Sequence, residues 1–348
     1  MRDIIHDVIQ WSEPAAVATV VSTWGSAPRQ VGAKLVMTPS HKLAGSVSGG
    51  CIEGAVFEEG MRVLQDNAGC LLRYGVADAT AFEAVGLACG GSIEVFVEPL
   101  TTQLRRFWQA AHQADCASVT ATVVAGSPAM IGFKLMLSEG GAPQLNRTGE
   151  AYNAITPHLL TAAQLALQNG RTVNVDLHAG EQAVRAFVDV SLPAPQLIIV
   201  GGVHIALTLC RLAKCMGYRV VVIDPRPAFG NASRFPDVDL LVAAYPKEAL
   251  AGLSITRSTA IVTLTHDSKF DDPALLDALR SEAFYVGALG GKAILAKRRI
   301  RLLARGLSEA QADRLHAPIG LDLGARSPEE IALAAMAQII AARNGVSG

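Results

Sequence analysis

Two glycine-rich cysteine loops are the places where this chain could do chemistry: Ser48-Gly49-Gly50-Cys51 and Cys89-Gly90-Gly91. A thiol is a soft ligand or a nucleophile, and a glycine pair beside it lets a bulky group approach the backbone. If the first loop leads into a helix, free N–H groups and the positive end of the helix dipole gather around Cys51, favouring an anion and a thiolate. Gly90 and Gly91 would serve Cys89 in the same way. Spacing alone does not separate a metal or cofactor contact from a redox or nucleophilic cysteine. Cys70, Cys116, Cys210 and Cys215 read as inert thiols, the last two among apolar helix residues. Six cysteines in 348 residues lack the density of a disulfide framework, and no C-x-x-C or H-x-x-x-H spacing suggests zinc.

A second candidate site lies downstream. Gly201-Gly202-Val203-His204 follows an apolar strand and opens a helix, with Asp224 at the end of the next strand, 23 residues after Gly201. That is the layout of a dinucleotide-binding fingerprint, in which glycines make the turn and admit a pyrophosphate. Val203 stands where the second glycine would be, and its side chain would crowd the phosphate. NAD(P) is therefore doubtful here, and both a different nucleotide-bearing ligand and a scaffold without ligand stay open. His266 and Asp267 lie beyond a later strand, where open parallel sheets place their crevice. They are expected to line it rather than to catalyse.

The elements that must position these residues fall into two domains, divided at the Pro-rich stretch Ser191 to Gln196. Downstream, over 197–348, strands and helices alternate: Leu197 to Val200, a helix from about Val203 to Met216, Arg219 to Ile223, Leu240 to Ala243, Ile261 to Thr265, a helix from about Pro273 to Ala283, and Tyr285 to Leu289. This predicts a parallel sheet covered on both faces, an α/β Rossmann-like domain. A basic run through Lys292, Lys297, Arg298, Arg299 and Arg301 is either a solvated helix face or a surface for phosphate or a partner. Upstream, over 1–193, ATVVSTWGSAPRQVGAKLVM (Ala18 to Met37) recurs as ATVVAGSPAMIGFKLM (Ala121 to Met136). An internal duplication, with copies at about 16–100 and 119–193, predicts a pseudo-symmetric α+β domain. Both cysteine loops belong to the first copy; the second is expected to have only a polar connection in place of the Cys51 loop. Arg29 and Lys34 precede that loop as candidate counter-charges for an anion, or as solvated surface cations.

Composition narrows the partners. With 30 Lys+Arg against 31 Asp+Glu the formal net charge is −1, so no global field exists to hold nucleic acid. No segment reads as a signal peptide or a membrane span, and the expected location is the cytoplasm. A duplicated domain is compatible with a homodimer.

Thr23 to Met37 (TWGSAPRQVGAKLVM), Gly45 to Glu53 (GSVSGGCIE) and Leu87 to Pro99 (LACGGSIEVFVEP) closely resemble the N-terminal domain of the XdhC/CoxI family, accessory proteins of molybdenum hydroxylases. The resemblance continues through Leu197 to Asp224, Thr265 to Asp267 and Pro318 to Ala325 (PIGLDLGA), covering nearly the whole chain. It implies a chaperone that transiently binds the molybdenum cofactor as molybdopterin or its dinucleotide form. Such a chaperone supports sulfuration with a cysteine desulfurase and delivers the cofactor to an apo molybdenum hydroxylase such as xanthine dehydrogenase. An accessory protein, rather than an enzyme, is the expectation that follows. Cys51 is the natural contact for molybdenum, and the Ser48, Gly49 and Gly50 amides are the natural phosphate cradle. The rivals are an NAD(P)-linked oxidoreductase using the Rossmann-like domain, and a scaffold that only docks partners.

Overall fold

In a computed structural model, residues 2–27, 29–75, 91–179 and 182–346 are described below. The chain divides into two compact units, Met1–Pro193 and Ala194–Gly348.

The first unit begins with helix α1 (Arg2–Val8), then strands β1 (Ala16–Trp24), β2 (Lys34–Met37) and β3 (Leu43–Gly45), helix α2 (Glu53–Asp66), and strands β4 (Cys70–Tyr74) and β5 (Ser92–Pro99). The strands form an antiparallel sheet in the order β3-β2-β1-β5-β4. After helix α3 (Thr102–Gln113), strands β6 (Ser118–Ala125), β7 (Lys134–Ser138) and β8 (Gln144–Leu145), helices α4 (Glu150–Asn153) and α5 (Thr156–Asn169), and strands β9 (Val173–Ala179) and β10 (Gln182–Ser191) repeat that order as β8-β7-β6-β10-β9. Alternation along the strands sets the layers. In β1, Ala16, Ala18 and Val20 pack with Val56 and Val63 of α2, while Val17 faces Leu104 and Trp108 of α3. In the second half, Val119, Ala121 and Val123 of β6 pack with Leu159 and Ala163 of α5. Val21 and Phe96 of the first sheet meet Val124 and Phe187 of the second, so the two sheets share a core.

Two features depart from the sequence expectation. The second half does have an element equivalent to β3, the short strand β8, and joins it to α5 through Asn146–Ile155 rather than through a purely polar link. Tyr152 of α4 stacks there on Phe133, ring centroids 4.4 Å apart. The lost length lies elsewhere: β9 ends at Ala179 and β10 begins at Gln182, whereas β4 ends at Tyr74 and β5 begins at Ser92.

The second unit runs β11 (Gln196–Val200), α6 (His204–Cys215), β12 (Arg219–Ile223), β13 (Leu240–Val242), α7 (Pro246–Ala251), β14 (Thr259–Thr263), α8 (Ser268–Arg280), β15 (Tyr285–Ala288), α9 (Lys292–Ala304), α10 (Glu309–Ala312), β16 (Leu315–His316) and α11 (Pro328–Arg343). Its sheet is parallel throughout, ordered β13-β12-β11-β14-β15-β16. Both faces are covered, which explains the unbroken apolar strands. Leu197 and Ile199 pack under α6 and α11, and Ile198 and Val200 under α7 and α8.

Helix α8 starts at Ser268, well before the expected Pro273, which sits inside it. The early turns are anchored by buried Asp271 and Asp272, bonded to Arg298 and Arg301 of α9. Those bonds also settle the basic run: Arg298 is buried against Asp271, Arg301 pairs with Asp272, and Arg299 pairs with Glu309 and Asp313. These three arginines are therefore neither a bare solvated face nor a phosphate patch. No helix among the described residues is long and apolar enough to cross a membrane.

Candidate functional site

The connection from β3 to α2 carries Cys51. Its backbone is organised by a residue that the glycine-cysteine pattern did not single out. Glu53, the first residue of α2, turns its carboxylate back onto the loop. Oε1 accepts from the Ser46 hydroxyl at 2.7 Å and the Ser48 amide at 2.9 Å. Oε2 accepts from the Ser48 hydroxyl and from the Gly50 amide, the latter at 2.8 Å. The two hydroxyls extend this reach. Ser46 Oγ accepts from the Gly49 amide at 2.8 Å, and Ser48 Oγ accepts from the amides of Cys51 and Ile52, each at 3.0 Å. Burial works against the charged carboxylate, but the Ser48 and Ser46 hydrogen bonds outweigh it and draw the Glu53 pKa down to about 2.

The Ser48, Gly49 and Gly50 amides are thus already committed, and the anion they hold is the chain's own carboxylate. They do not form the open phosphate cradle that the sequence suggests. A Ser residue followed by an acid in the first turn of a helix is a capping signature, and it was the signal available for Glu53. What the loop leaves open is different. Cys51 is an exposed free thiol. Gly49 and Gly50 adopt φ of 73° and 116°, and nothing lies within 4 Å of a Cβ at either, so the backbone beside the thiol is accessible.

Arg29 reaches this loop, with Nε donating to the Ser46 carbonyl at 3.2 Å. Lys34 does not. Its side chain is buried, bonded to Asp189 at 2.6 Å and to Thr19. A matching buried pair joins Lys134 to Glu98 at 2.8 Å, with Thr122 beside it. Burial draws Lys134 below the usual lysine value despite the attraction of Glu98. Each lysine comes from one sheet and each acid from the other. These cations fasten the sheets together, so Lys34 is neither a surface cation nor a counter-charge at the Cys51 loop.

Cys89 and Gly90 lie outside the described residues. Gly91 is buried, and a Cβ there would come within 2.4 Å of the Ser26 carbonyl oxygen. Close passage of the Trp24–Ser26 turn therefore accounts for this glycine without a ligand. Cys70 and Cys210 are pushed up to about 12 by burial, aided at Cys70 by Glu59. Cys215, expected among apolar neighbours, is exposed at the end of α6. A groove of about 790 Å³ between α5 and β9 is lined by residues such as His158, Leu165 and Val173, and by none of the candidate site residues.

In the second unit, Gly201, Gly202 and Asp224 do come together. Asp224 is 1% exposed; its Oδ2 accepts from the Gly202 amide at 2.8 Å, and Arg226 binds both carboxylate oxygens, at 2.9 and 2.7 Å. These contacts outweigh burial and lower its pKa. Gly202 is needed because the Phe229 carbonyl oxygen would lie 2.4 Å from a Cβ. Arg234 donates to the Gly202 carbonyl, and Arg226 stacks on Phe229 with 4.1 Å between its Cζ and the ring centroid. The segment from Arg226 to Phe235 thus packs over the turn where a pyrophosphate was considered, and Asp224 serves that packing. Gly201 is tight against Thr265, which hydrogen-bonds Asp271. Asp267 caps α8 by accepting from the Lys269 amide, and His266 is exposed with φ 60°. His204 is exposed, with Nε2 3.6 Å from Glu329 of α11.

Comparison with known proteins places this architecture. Residues 9–75 match the model described as the XdhC and CoxI family, and residues 197–339 match that of the XdhC Rossmann domain. The chain belongs to the XdhC and CoxI family. A Bacillus subtilis (strain 168) relative of this XdhC-family chain, named as a probable xanthine dehydrogenase component, is 28% identical over 99% of this chain and 98% of its own length. The molybdenum cofactor insertion chaperone PaoD of Escherichia coli (strain K12) is 24% identical over 94% of this chain and 83% of its own. A crystal structure described as a xanthine dehydrogenase from Bacillus halodurans shares the fold, with a TM-score of 0.76 and 23% identity, covering 99% of this chain and 95% of that one.

Proposed function

We propose that this XdhC-family chain is a maturation factor that transiently holds the molybdenum cofactor for a molybdenum hydroxylase, with the Cys51 thiol as its contact. The observation that carries this reading is the exposed Cys51 on a fixed loop flanked by two open glycines. A relative named as a molybdenum cofactor insertion chaperone supports it.

The donor set fits one side of that ligand. A thiol is a soft donor suited to the metal and dithiolene end. Among the described residues no group of three His, Cys, Asp or Glu side chains is arranged to hold a metal ion. Cys51 therefore offers a single releasable contact rather than a cage, which suits a carrier that must hand its cargo on. Because Glu53 fills the amides of this loop, the ligand's phosphate is held elsewhere, and Arg29 is the nearest cation the structure ties to the loop. When bound, the cofactor supplies the metal chemistry that the client enzyme uses; the protein's part is to hold and shield it. Sulfuration with a cysteine desulfurase and delivery to the apo-hydroxylase complete the cycle in this reading.

The test is anaerobic purification followed by oxidative release of fluorescent pterin. The native chain is expected to carry pterin, and Cys51→Ala to lose it while staying folded. Equal pterin in both would refute the assignment. The rival, NAD(P) at the second unit, has less support because Gly202 and Asp224 are already engaged with each other and with the Arg226 to Phe235 segment.

A further inference from the structure

We infer that Glu53 is the positioning residue of this site: its carboxylate sets the backbone from Ser48 to Ile52 and thereby the direction of the Cys51 thiol. This rests on the proposed function for its consequence, but its geometry stands without it.

The argument is one of hydrogen-bond accounting. Five consecutive amides, those of residues 48 to 52, need acceptors where the chain turns into α2. Two of them, Ser48 and Gly50, end directly on the Glu53 carboxylate. The other three end on the Ser46 and Ser48 hydroxyls. A hydroxyl that accepts from an amide must still aim its own proton somewhere, and both aim it at Glu53. One ionised group thus orients every donor in the loop. A carboxylate is the only side chain that accepts four such bonds while donating none. Glutamine would turn an NH₂ group toward either the Ser48 amide or the Gly50 amide. Packing does not fix the two glycines, whose Cβ positions face open space. Cys51 is bonded into the network through its amide alone among the contacts described, so its side chain takes its direction from the backbone that Glu53 holds.

The experiment compares the native chain with Glu53→Gln, Ser48→Ala and Glu53→Ala, first confirming cooperative unfolding at the native temperature. Amide hydrogen exchange across residues 48 to 52 is then measured, together with the rate of Cys51 alkylation by iodoacetamide. Glu53→Gln and Ser48→Ala are expected to speed exchange of these amides by about tenfold or more, and to change the alkylation rate. Added formate, seated in the vacated space, is expected to restore slow exchange in Glu53→Ala and to leave Ser48→Ala unaffected. Native-like exchange in Glu53→Gln, or no rescue by formate, would overturn the inference. If a variant unfolds, Ser46→Ala provides the same comparison with a milder change. Pterin retention adds the link to function. Glu53→Gln should reduce it as far as Cys51→Ala does, and should cause no further loss when combined with Cys51→Ala. An equal further loss in the combined variant would show that Glu53 does not act through the cysteine. Retention by Cys51→Ala itself would refute the proposed function, while exchange and formate rescue would still decide the role of Glu53.

Discussion

The Cys51 turn and the Gly202 turn are built alike and end differently. Each is a glycine turn entering a helix, and in each a carboxylate of the same chain sits on the backbone amides, Glu53 in one and Asp224 in the other. Around Asp224 an arginine neutralises the charge and the segment to Phe235 closes over the turn. Around Glu53 the surface stays open and a thiol is left exposed. A glycine turn at a helix start is therefore not in itself evidence of a phosphate site. What decides is which groups already satisfy its amides and whether a reactive side chain remains outside. The second half of the first unit makes the same point. On the same strand order, its connection carries the Phe133–Tyr152 stack in place of glycines and cysteine.

The largest effect expected concerns which cations belong to the Cys51 turn at all. Lys34→Ala would strand Asp189 between the sheets and destabilise the first unit by about 3–5 kcal/mol, measured by denaturant unfolding. A folded, fully stable variant that merely lost pterin would return Lys34 to the site.

Breaking the closed turn should cost less. Asp224→Asn is expected to destabilise the second unit by about 2–3 kcal/mol at pH 7. Because the folded pKa of Asp224 lies below its unfolded value, its contribution is complete above about pH 4 and is lost as the pH falls through the folded value. The gap between variant and native should therefore narrow on acidification; a constant gap would mean that the charge is not what matters.

Tyr152→Ala tests the apolar connection. A loss of about 1–2 kcal/mol with unchanged pterin content is expected, since only packing is removed. The smallest change in stability, within about 0.5 kcal/mol, is expected for Cys51→Ala, an exposed side chain. Peptide mapping after brief alkylation at pH 8 should find Cys51 and Cys215 modified, with Cys70 and Cys210 protected by burial and their raised pKa values.

The parts of the fold legible in the sequence were those written in local patterns. The apolar strands 197–200 and 219–223, separated by helical periods, gave the parallel sheet, and the recurring Gly-x-Lys-Leu segments marked strands at corresponding places in two sheets. Long-range pairings were not legible. Lys34 and Asp189 are 155 residues apart, and nothing near either one distinguishes a buried ion pair from a surface charge. The same holds for Arg298 and Asp271, whose pairing turned an apparent basic helix face into part of the core. In the site, the cysteine and glycines were visible as types, but the competition for their amides was visible only once Glu53 had folded back.

The most direct test of the central claim is anaerobic equilibrium binding of mature molybdenum cofactor to the native chain and to Cys51→Ser. Weakening of about tenfold or more in the variant, with unfolding curves that superimpose, is the predicted result. Equal affinity for the two proteins would contradict the assignment of Cys51 as the contact.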